Sequence, residues 1–241
     1  MITINNHKLN EDKIGGATVK VDILPSGKCI PNSTITPKKI TIHDTGNLNT
    51  KASNNHNYMK NCNKNGSRIA SWHFTVDHDI IIQAIPCNKK GYHAGNSTGN
   101  NSSIGIEMCI YSDSAKQLKV YENAIELVKI LMKQYKIDST NIVQHNYWTG
   151  KNCPGFLRAN KYGYNWSWFK GKLNTVLPSS SNFLVKVIAD ELNVRKGPSH
   201  TYKVNTVIKK GEVYTIVDVK NNWGKLKSGV GWINLSYTNK I

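Results

Sequence analysis

Apolar and polar residues alternate through KKITIHDT (38–45), with Ile40 and Ile42 on one face, and this period of two predicts a strand. SWHFTVDHDIIIQAIP (71–86) reads as two strands joined by a tight turn near Asp77 to Asp79, and IGIEMCIY (104–111) and NIVQHN (141–146) add two more. Between these the period lengthens. Leu118, Tyr121, Ile125, Val128, Leu131 and Tyr135 recur at helical spacing, so a long helix spans Ser114 to Tyr135, and Ser114 with Gln117 is spaced as a capping box. A shorter helix is expected from Ala52 to Asn63, with a polar loop from Asn63 to Ser67. Strands interleaved with helices imply an α/β domain, a mixed central β-sheet flanked by helices.

The pattern breaks at Asn174 to Asn182 (NTVLPSSSN), where Pro178 and three serines interrupt it. A first domain of residues 1–175, a linker of 176–182 and a second domain of 183–241 follow from that seam. Beyond it, FLVKVIA, LNVRKGPS, VNTVIKKGEVYTIVDVKN, WGKLKSG and VGWINLSY are short β segments punctuated by Gly and Pro, and none suits a helix. Spacing of this kind predicts a small, closed, all-β barrel.

Composition narrows the partners. The 241 residues carry 32 Lys and Arg against 15 Asp and Glu, a net charge of +17 spread over both parts of the chain, which favours an extended polyanion. Nucleic acid, an acidic polymer and an anionic membrane surface all qualify on charge alone. No apolar stretch approaches the roughly 20 residues of a membrane span, so membrane insertion is not expected. The opening MITINNHKLNED lacks the apolar centre of a signal peptide, which implies synthesis in the cytoplasm. Cys29, Cys62, Cys87, Cys109 and Cys153 are odd in number and scattered, which does not suit a disulfide framework.

Metal chemistry needs lone pairs converging from separate elements. His43 and His145 end predicted strands, and Cys153 lies eight residues past His145 in the loop that follows. Zinc accepts imidazole nitrogen and thiolate sulfur, and three protein ligands leave its fourth position for water, as in catalytic sites. On the residues alone an alternative stands: both histidines merely end strands, and Cys153 is a small buried apolar residue.

Five blocks, IHDTGN (42–47), SWHFTVDH (71–78), YHAGN (92–96), IGIEMC (104–109) and QHNYWTGKNCPG (144–155), resemble in order and spacing the zinc-dependent N-acetylmuramoyl-L-alanine amidases of the T7 lysozyme and peptidoglycan-recognition-protein type. The likeness covers roughly residues 23–170. Residues 183–237 are similar to a bacterial SH3 domain, a wall-binding module of the kind that phage endolysins and bacterial autolysins join to such amidases.

The resemblance implies a peptidoglycan hydrolase that cleaves the amide between N-acetylmuramic acid and L-alanine, with one zinc ion per chain on His43, His145 and Cys153. It implies that Glu107, in the GIE block, moves the proton and that Lys151, two residues before Cys153, steadies the oxyanion. Trp72 stands where several members carry tyrosine; indole donates but cannot shuttle a proton, so Trp72 is read as a wall of the substrate cleft. His73, His93 and Trp148 are further candidates for substrate contact. Asp44, beside a ligand, reads more readily as an exposed loop residue than as support for the metal. In the second domain Asn193, Arg195 and Tyr202 resemble the wall-peptide side of related modules, while Trp223 and Trp232 read as core. The expected partners are then peptidoglycan and anionic wall polymers, met at the bacterial cell wall after release; nucleic acid and an obligate protein partner are not expected.

Two other functions stay open. A recognition protein that binds peptidoglycan without turnover would keep the pocket, although the joint presence of Cys153, Glu107 and Lys151 speaks against it. A cysteine peptidase wants its nucleophile at a helix N-terminus with its histidine later in the chain, whereas Cys153 follows both histidines.

Overall fold

The N-terminal segment, to which the sequence pattern assigned no element, folds in the computed structural model into four short strands: β1 (Ile4–Asn5), β2 (Lys8–Leu9), β3 (Lys13–Ile14) and β4 (Ala17–Val21). The structure describes residues 4–174, 183–220 and 222–241, so the 176–182 linker lies outside the described residues. Strands β1 and β2 form a hairpin that Gln83 ties down: its Oε1 accepts from Leu9 N–H at 2.7 Å and its Nε2 donates to His7 O at 3.0 Å. There follow β5 (Lys39–Leu48), α1 (Ala52–Asn65), β6 (Phe74–Val76), β7 (Ile80–Gln83), α2 (Ser97–Ser102), β8 (Ser103–Ile110), α3 (Ser114–Tyr135), β9 (Ile142–Gln144), α4 (Asn146–Thr149), α5 (Gly155–Arg158) and α6 (Trp166–Asn174).

The main sheet runs β3-β4-β7-β6-β8-β5-β9. Strand β5 is parallel to β8 and β9, β6 to β8, and β4 to β7, while β3/β4 and β6/β7 are antiparallel. The sheet is therefore mixed, as the alternation of strands and helices implied. Strand β8 and the first half of β5 are largely buried on both faces, the usual state of parallel strands. Ile40, Ile42, Ile104 and Ile106 join Phe74, Tyr121 and Leu127 in the main core. The polar half of the alternation does not meet solvent. Thr41 is 0% and His43 1% exposed, and Thr41 Oγ1 donates to Ser103 Oγ at 2.9 Å.

Helix α3 forms where its apolar spacing placed it, but its cap is different. The N-cap is Asp113, whose Oδ1 accepts from Lys116 N–H at 2.9 Å, so a carboxylate rather than Ser114 meets the positive end of the helix. Gln117 turns inward, where its Oε1 accepts from Tyr111 N–H at 2.8 Å. Helices α2, α4, α5 and α6 had no apolar period long enough to announce them. Tyr164, Trp166 and Trp168 pack against the main core.

Helix α1 begins after Lys51, which offers no acceptor, and its cap comes from elsewhere. Asp77, in the β6/β7 turn, accepts from Ala52 N–H at 2.8 Å, from His78 N–H at 2.7 Å and from the Tyr111 hydroxyl at 2.8 Å. Burial alone would raise this carboxyl, but the hydrogen bonds from Ala52, His78 and Tyr111 outweigh it and hold the pKa below the ordinary 3.8. A depressed folded-state pKa stabilises the fold above pH 3.8, and that contribution disappears as pH falls through the folded value. Asp77→Asn is expected to cost about 2 kcal/mol at neutral pH and to flatten the loss of stability on acidification. Urea titrations of both proteins at neutral and acidic pH check this; equal midpoints at neutral pH would remove Asp77 from the helix.

The described residues of the second unit, which spans Thr175–Ile241, are all antiparallel β apart from one short 3-10 turn. Strands β10 (Phe183–Val187), β11 (Glu191–Arg195), β12 (Val204–Lys209), β13 (Val213–Lys220), β14 (Trp223–Leu226), β15 (Trp232–Asn234) and β16 (Thr238–Lys240) run in the order β12-β11-β15-β14-β13-β10-β16. Their inward positions, among them Val185, Val187, Leu192, Val194 and Ile233, make a separate core. All five cysteines of the chain are buried and unpaired. Among the described residues no helix is long and apolar enough to cross a membrane.

Candidate active site

Strand β5 carries His43 directly after Ile42, and the parallel register sets it against Glu107 of β8. His145 follows the last residue of β9, with its N–H donating to Ile42 O at 3.2 Å. The chain then turns back on itself around Asn146, whose side-chain amide donates to Gly150 O at 2.8 Å and Lys151 O at 3.0 Å. Asn146 N–H also reaches Cys153 O at 3.1 Å, and Gly150, at φ +75°, supplies the left-handed residue that ends α4. This staple returns Cys153 to the two histidines.

Hydrogen positions follow from the carbonyls behind the rings. His93 Nε2 faces Ser103 O at 3.1 Å, and a carbonyl can only accept, so His93 Nδ1 is a bare lone pair. It lies 3.1 Å from His43 Nε2, which must carry the hydrogen and leaves His43 Nδ1 bare as well. His145 hydrogen-bonds the backbone of Ala94, and its Nε2 lies on the side of the neighbouring Gly95, so the nitrogen turned to His43 is its bare Nδ1. Two imidazole lone pairs thus face each other at 3.0 Å, with Cys153 Sγ 3.8 Å from His43 Nδ1. That arrangement is repulsive unless a cation lies between them.

Three ligand atoms, one each from His43, His145 and Cys153, lie within 4.8 Å of one another. Tetrahedral zinc with ordinary bond lengths separates two nitrogens by about 3.3 Å and nitrogen from sulfur by about 3.6 Å, so the cluster fits a divalent cation closely. The protonation states agree. Burial first, then the neighbouring imidazoles and Lys151, holds His43 well below its ordinary value, and burial and Lys151 lower His145. Both are neutral, as ligands must be. Burial, helped by Glu107 and Asp44, pushes the Cys153 thiol up to about 12, so without a cation it is no thiolate and no nucleophile.

A cleft of about 510 Å³ opens over the cluster. Glu107 Oε1 lies 4.0 Å from His43 Nδ1, and its Oε2 is buried without a hydrogen-bond partner among the described residues. Burial, with the Asp44 charge adding to it, pushes this carboxyl up to about 8 against the pull of Lys151 and Arg68. A cation on the neighbouring ligands pulls it down again. Lys151 lines the cleft with Cys153, and Cys153 N–H closes on Lys151 O at 2.8 Å in a tight turn. Gly105 of β8 is required here: a Cβ would meet the His93 ring at 2.5 Å.

The structure gathers His43, His145, Cys153, Glu107, Lys151 and Trp72 at this cleft. Trp72 is a wall, 8% exposed, with Nε1 donating to Thr75 Oγ1 at 2.7 Å. His93 reaches the cleft, but both its nitrogens are committed, one to orienting His43. His73 does not reach the cleft. It is fully buried, with Nε2 donating to Lys89 O at 2.8 Å and Nδ1 accepting from Gly105 N–H at 3.0 Å, and burial lowers it to about 4. Trp148 is also elsewhere: its indole donates to Thr41 Oγ1 at 3.0 Å, and its ring lies where a Cβ on Gly99 would come within 2.8 Å. Asp44 is not an exposed loop residue but half-buried, and its Oδ2 accepts from Phe156 N–H at 3.1 Å in the first turn of α5. Arg68, Tyr58 and Tyr92 also line the cleft; Arg68 and Tyr58 went unnoticed in the sequence, standing in a loop and on an exposed helix face without period or motif, and Tyr92 opens the YHAGN block but was assigned no role. On the second unit, Asn193, Arg195 and Trp223 share a separate cleft of about 290 Å³, whereas Tyr202 packs against Gly197 instead.

Fold and cluster together define a mixed α/β domain with a candidate metal centre in the floor of a cleft. Residues 33–156 match the profile of the N-acetylmuramoyl-L-alanine amidases, and the chain belongs to that family. Residues 190–239 match the bacterial SH3 domain. N-acetylmuramoyl-L-alanine amidase XlyA of Bacillus subtilis (strain 168) is 41% identical over 138 residues, 55% of this chain and 45% of XlyA. CwlH of the same strain, also an N-acetylmuramoyl-L-alanine amidase, is 39% identical over 143 residues, 57% of this chain and 55% of CwlH. The chain spans about half the length of these relatives. The solved catalytic domain of XlyA aligns with a TM-score of 0.58 at 37% identity, over 66% of this chain and 100% of that domain.

Proposed function

We propose that the chain is a peptidoglycan hydrolase that cuts the amide between the lactyl group of N-acetylmuramic acid and L-alanine, with zinc held by His43, His145 and Cys153. The observation that carries this is the pair of bare imidazole nitrogens at 3.0 Å beside a buried thiol, with the Glu107 carboxyl 4.0 Å away in an open cleft. When bound, zinc supplies Lewis acidity toward a carbonyl and lowers the pKa of water toward about 7. Glu107 accepts the proton of the attacking water and delivers it to the departing amine of alanine, for which its unpartnered Oε2 is placed. Lys151 donates a charge-assisted hydrogen bond to the carbonyl oxygen as it gains charge. His93 keeps His43 in the tautomer whose Nδ1 can ligate, and Asp44 holds α5 against the cleft.

The division of labour is part of the same proposal. Residues 1–175 carry the chemistry, 183–241 attach the enzyme to the wall, and the net charge of +17 draws it to anionic wall polymers. The test is product chemistry. Digestion of purified bacterial walls should release new N-terminal alanine without new reducing ends, and a chelator should stop it. New reducing ends alone would identify a glycosidase and overturn the proposal; zinc-loaded protein that binds walls but releases nothing would make it a recognition protein.

A further inference from the structure

Arg68 lines the cleft yet has no part in the chemistry set out above. Its backbone is fixed: Arg68 O accepts the Cys29 thiol hydrogen at 2.7 Å and Ala70 N–H at 3.1 Å. Cys29 is itself fully buried, its N–H donating to Asn63 Oδ1 at 3.0 Å and its carbonyl accepting from Ser71 Oγ at 2.6 Å. The guanidinium, by contrast, makes no hydrogen bond or ion pair with any described residue, although its charge acts on Glu107 from within the same cleft. An anchored backbone thus carries an exposed side chain that lines the cleft with five unused donors. A guanidinium pairs best with a planar carboxylate, through two parallel hydrogen bonds.

The proposed substrate says where such a carboxylate is. The lactyl carboxyl of muramic acid is consumed in the scissile amide, so the negative charge of the muramoyl-peptide lies wholly on the peptide side. Its first free carboxylate belongs to the residue after L-alanine, a D-glutamate linked onward through its side chain. Lys151, the other cation named at the cleft, sits on the loop that carries Cys153 and serves the carbonyl. Resting on the amidase reading of this site, we infer that Arg68 is a specificity-determining residue that binds the α-carboxylate of the second stem-peptide residue. The enzyme therefore prefers stem peptides in which that group is a free acid over those in which it is an amide.

The experiment compares muramoyl-L-alanyl-D-glutamate with muramoyl-L-alanyl-D-isoglutamine, which differ only in that group, on the full-length zinc-loaded chain and on Arg68→Gln and Arg68→Lys. Calorimetric dissociation constants and the rate at which the alanyl dipeptide, with its new amino terminus, is released are measured for each. The wild type should favour the acid by about tenfold, as a charge-assisted pair at a partly exposed site allows. In Arg68→Gln the acid-to-amide ratio should collapse toward one, chiefly through KM, and Arg68→Lys should recover part of it. An equal ratio in wild type and Arg68→Gln, with the alanyl dipeptide still released, overturns the role of Arg68 and leaves the amidase standing. An acid preference in binding that depends on Arg68, without any release of the alanyl dipeptide, supports the role and overturns the hydrolase.

Discussion

Replacing His145 by alanine is expected to empty the metal centre and abolish wall digestion together. Loss of a residue that merely supports a ligand typically weakens metal binding by about 10–100-fold, and loss of a ligand must exceed that. His145 lies at the open end of the cluster, 8% exposed, and its removal also ends the confrontation of two lone pairs at 3.0 Å. The metal-free variant should therefore unfold no more easily than metal-free wild type, while the rise in Tm that zinc gives the wild type should vanish. Metal analysis after dialysis, thermal unfolding with and without zinc, and turbidity of wall suspensions read the three effects. A variant that keeps one equivalent of zinc and clears walls at the wild-type rate would show that the cluster is not the centre.

Glu107→Gln should produce the opposite split. Zinc content and fold stay, because Glu107 is not among the three clustered ligands and glutamine fills the same volume beside β5. Turnover should fall by about 10²–10⁴-fold, the usual worth of a positioned acid–base group. The carboxyl is already raised by burial and by Asp44, the environment in which a carboxyl exchanges protons near neutral pH. The loss should appear in kcat rather than in wall binding. Retention of more than a tenth of wild-type turnover in a zinc-loaded Glu107→Gln protein would assign the proton transfer to another group.

Much of this molecule was legible before any coordinates. Period-two alternation located β5, β6, β7 and β8, and apolar recurrence located α3, because burying one face is what those sequences do best. The same blocks held the three residues that cluster in the cleft, since strand ends and the loops after them are where side chains from distant segments can meet. The short strands past Phe183 announced an all-β unit through their glycines and alternation.

Other features needed the chain to be folded. Alternation says that Thr41, His43 and Glu107 share the polar side of their strands, but not that this side is covered by protein, so solvent and active site look alike in sequence. His73 and Trp148 carried the same chemistry as the residues at the cleft; only the groups they meet, Lys89 O and Gly105 N–H for one and the Thr41 side chain for the other, removed them from it. Asp77 capping α1 and the unpartnered guanidinium of Arg68 are likewise relations across the fold. The sequence by itself determined which segments fold into which elements and which side chains can bind a metal, because local sterics and hydrophobic burial act on neighbouring positions. The tertiary structure decided which side chains face one another and which protons they hold, because hydrogen bonding and desolvation depend on groups that can be more than a hundred residues away in the chain.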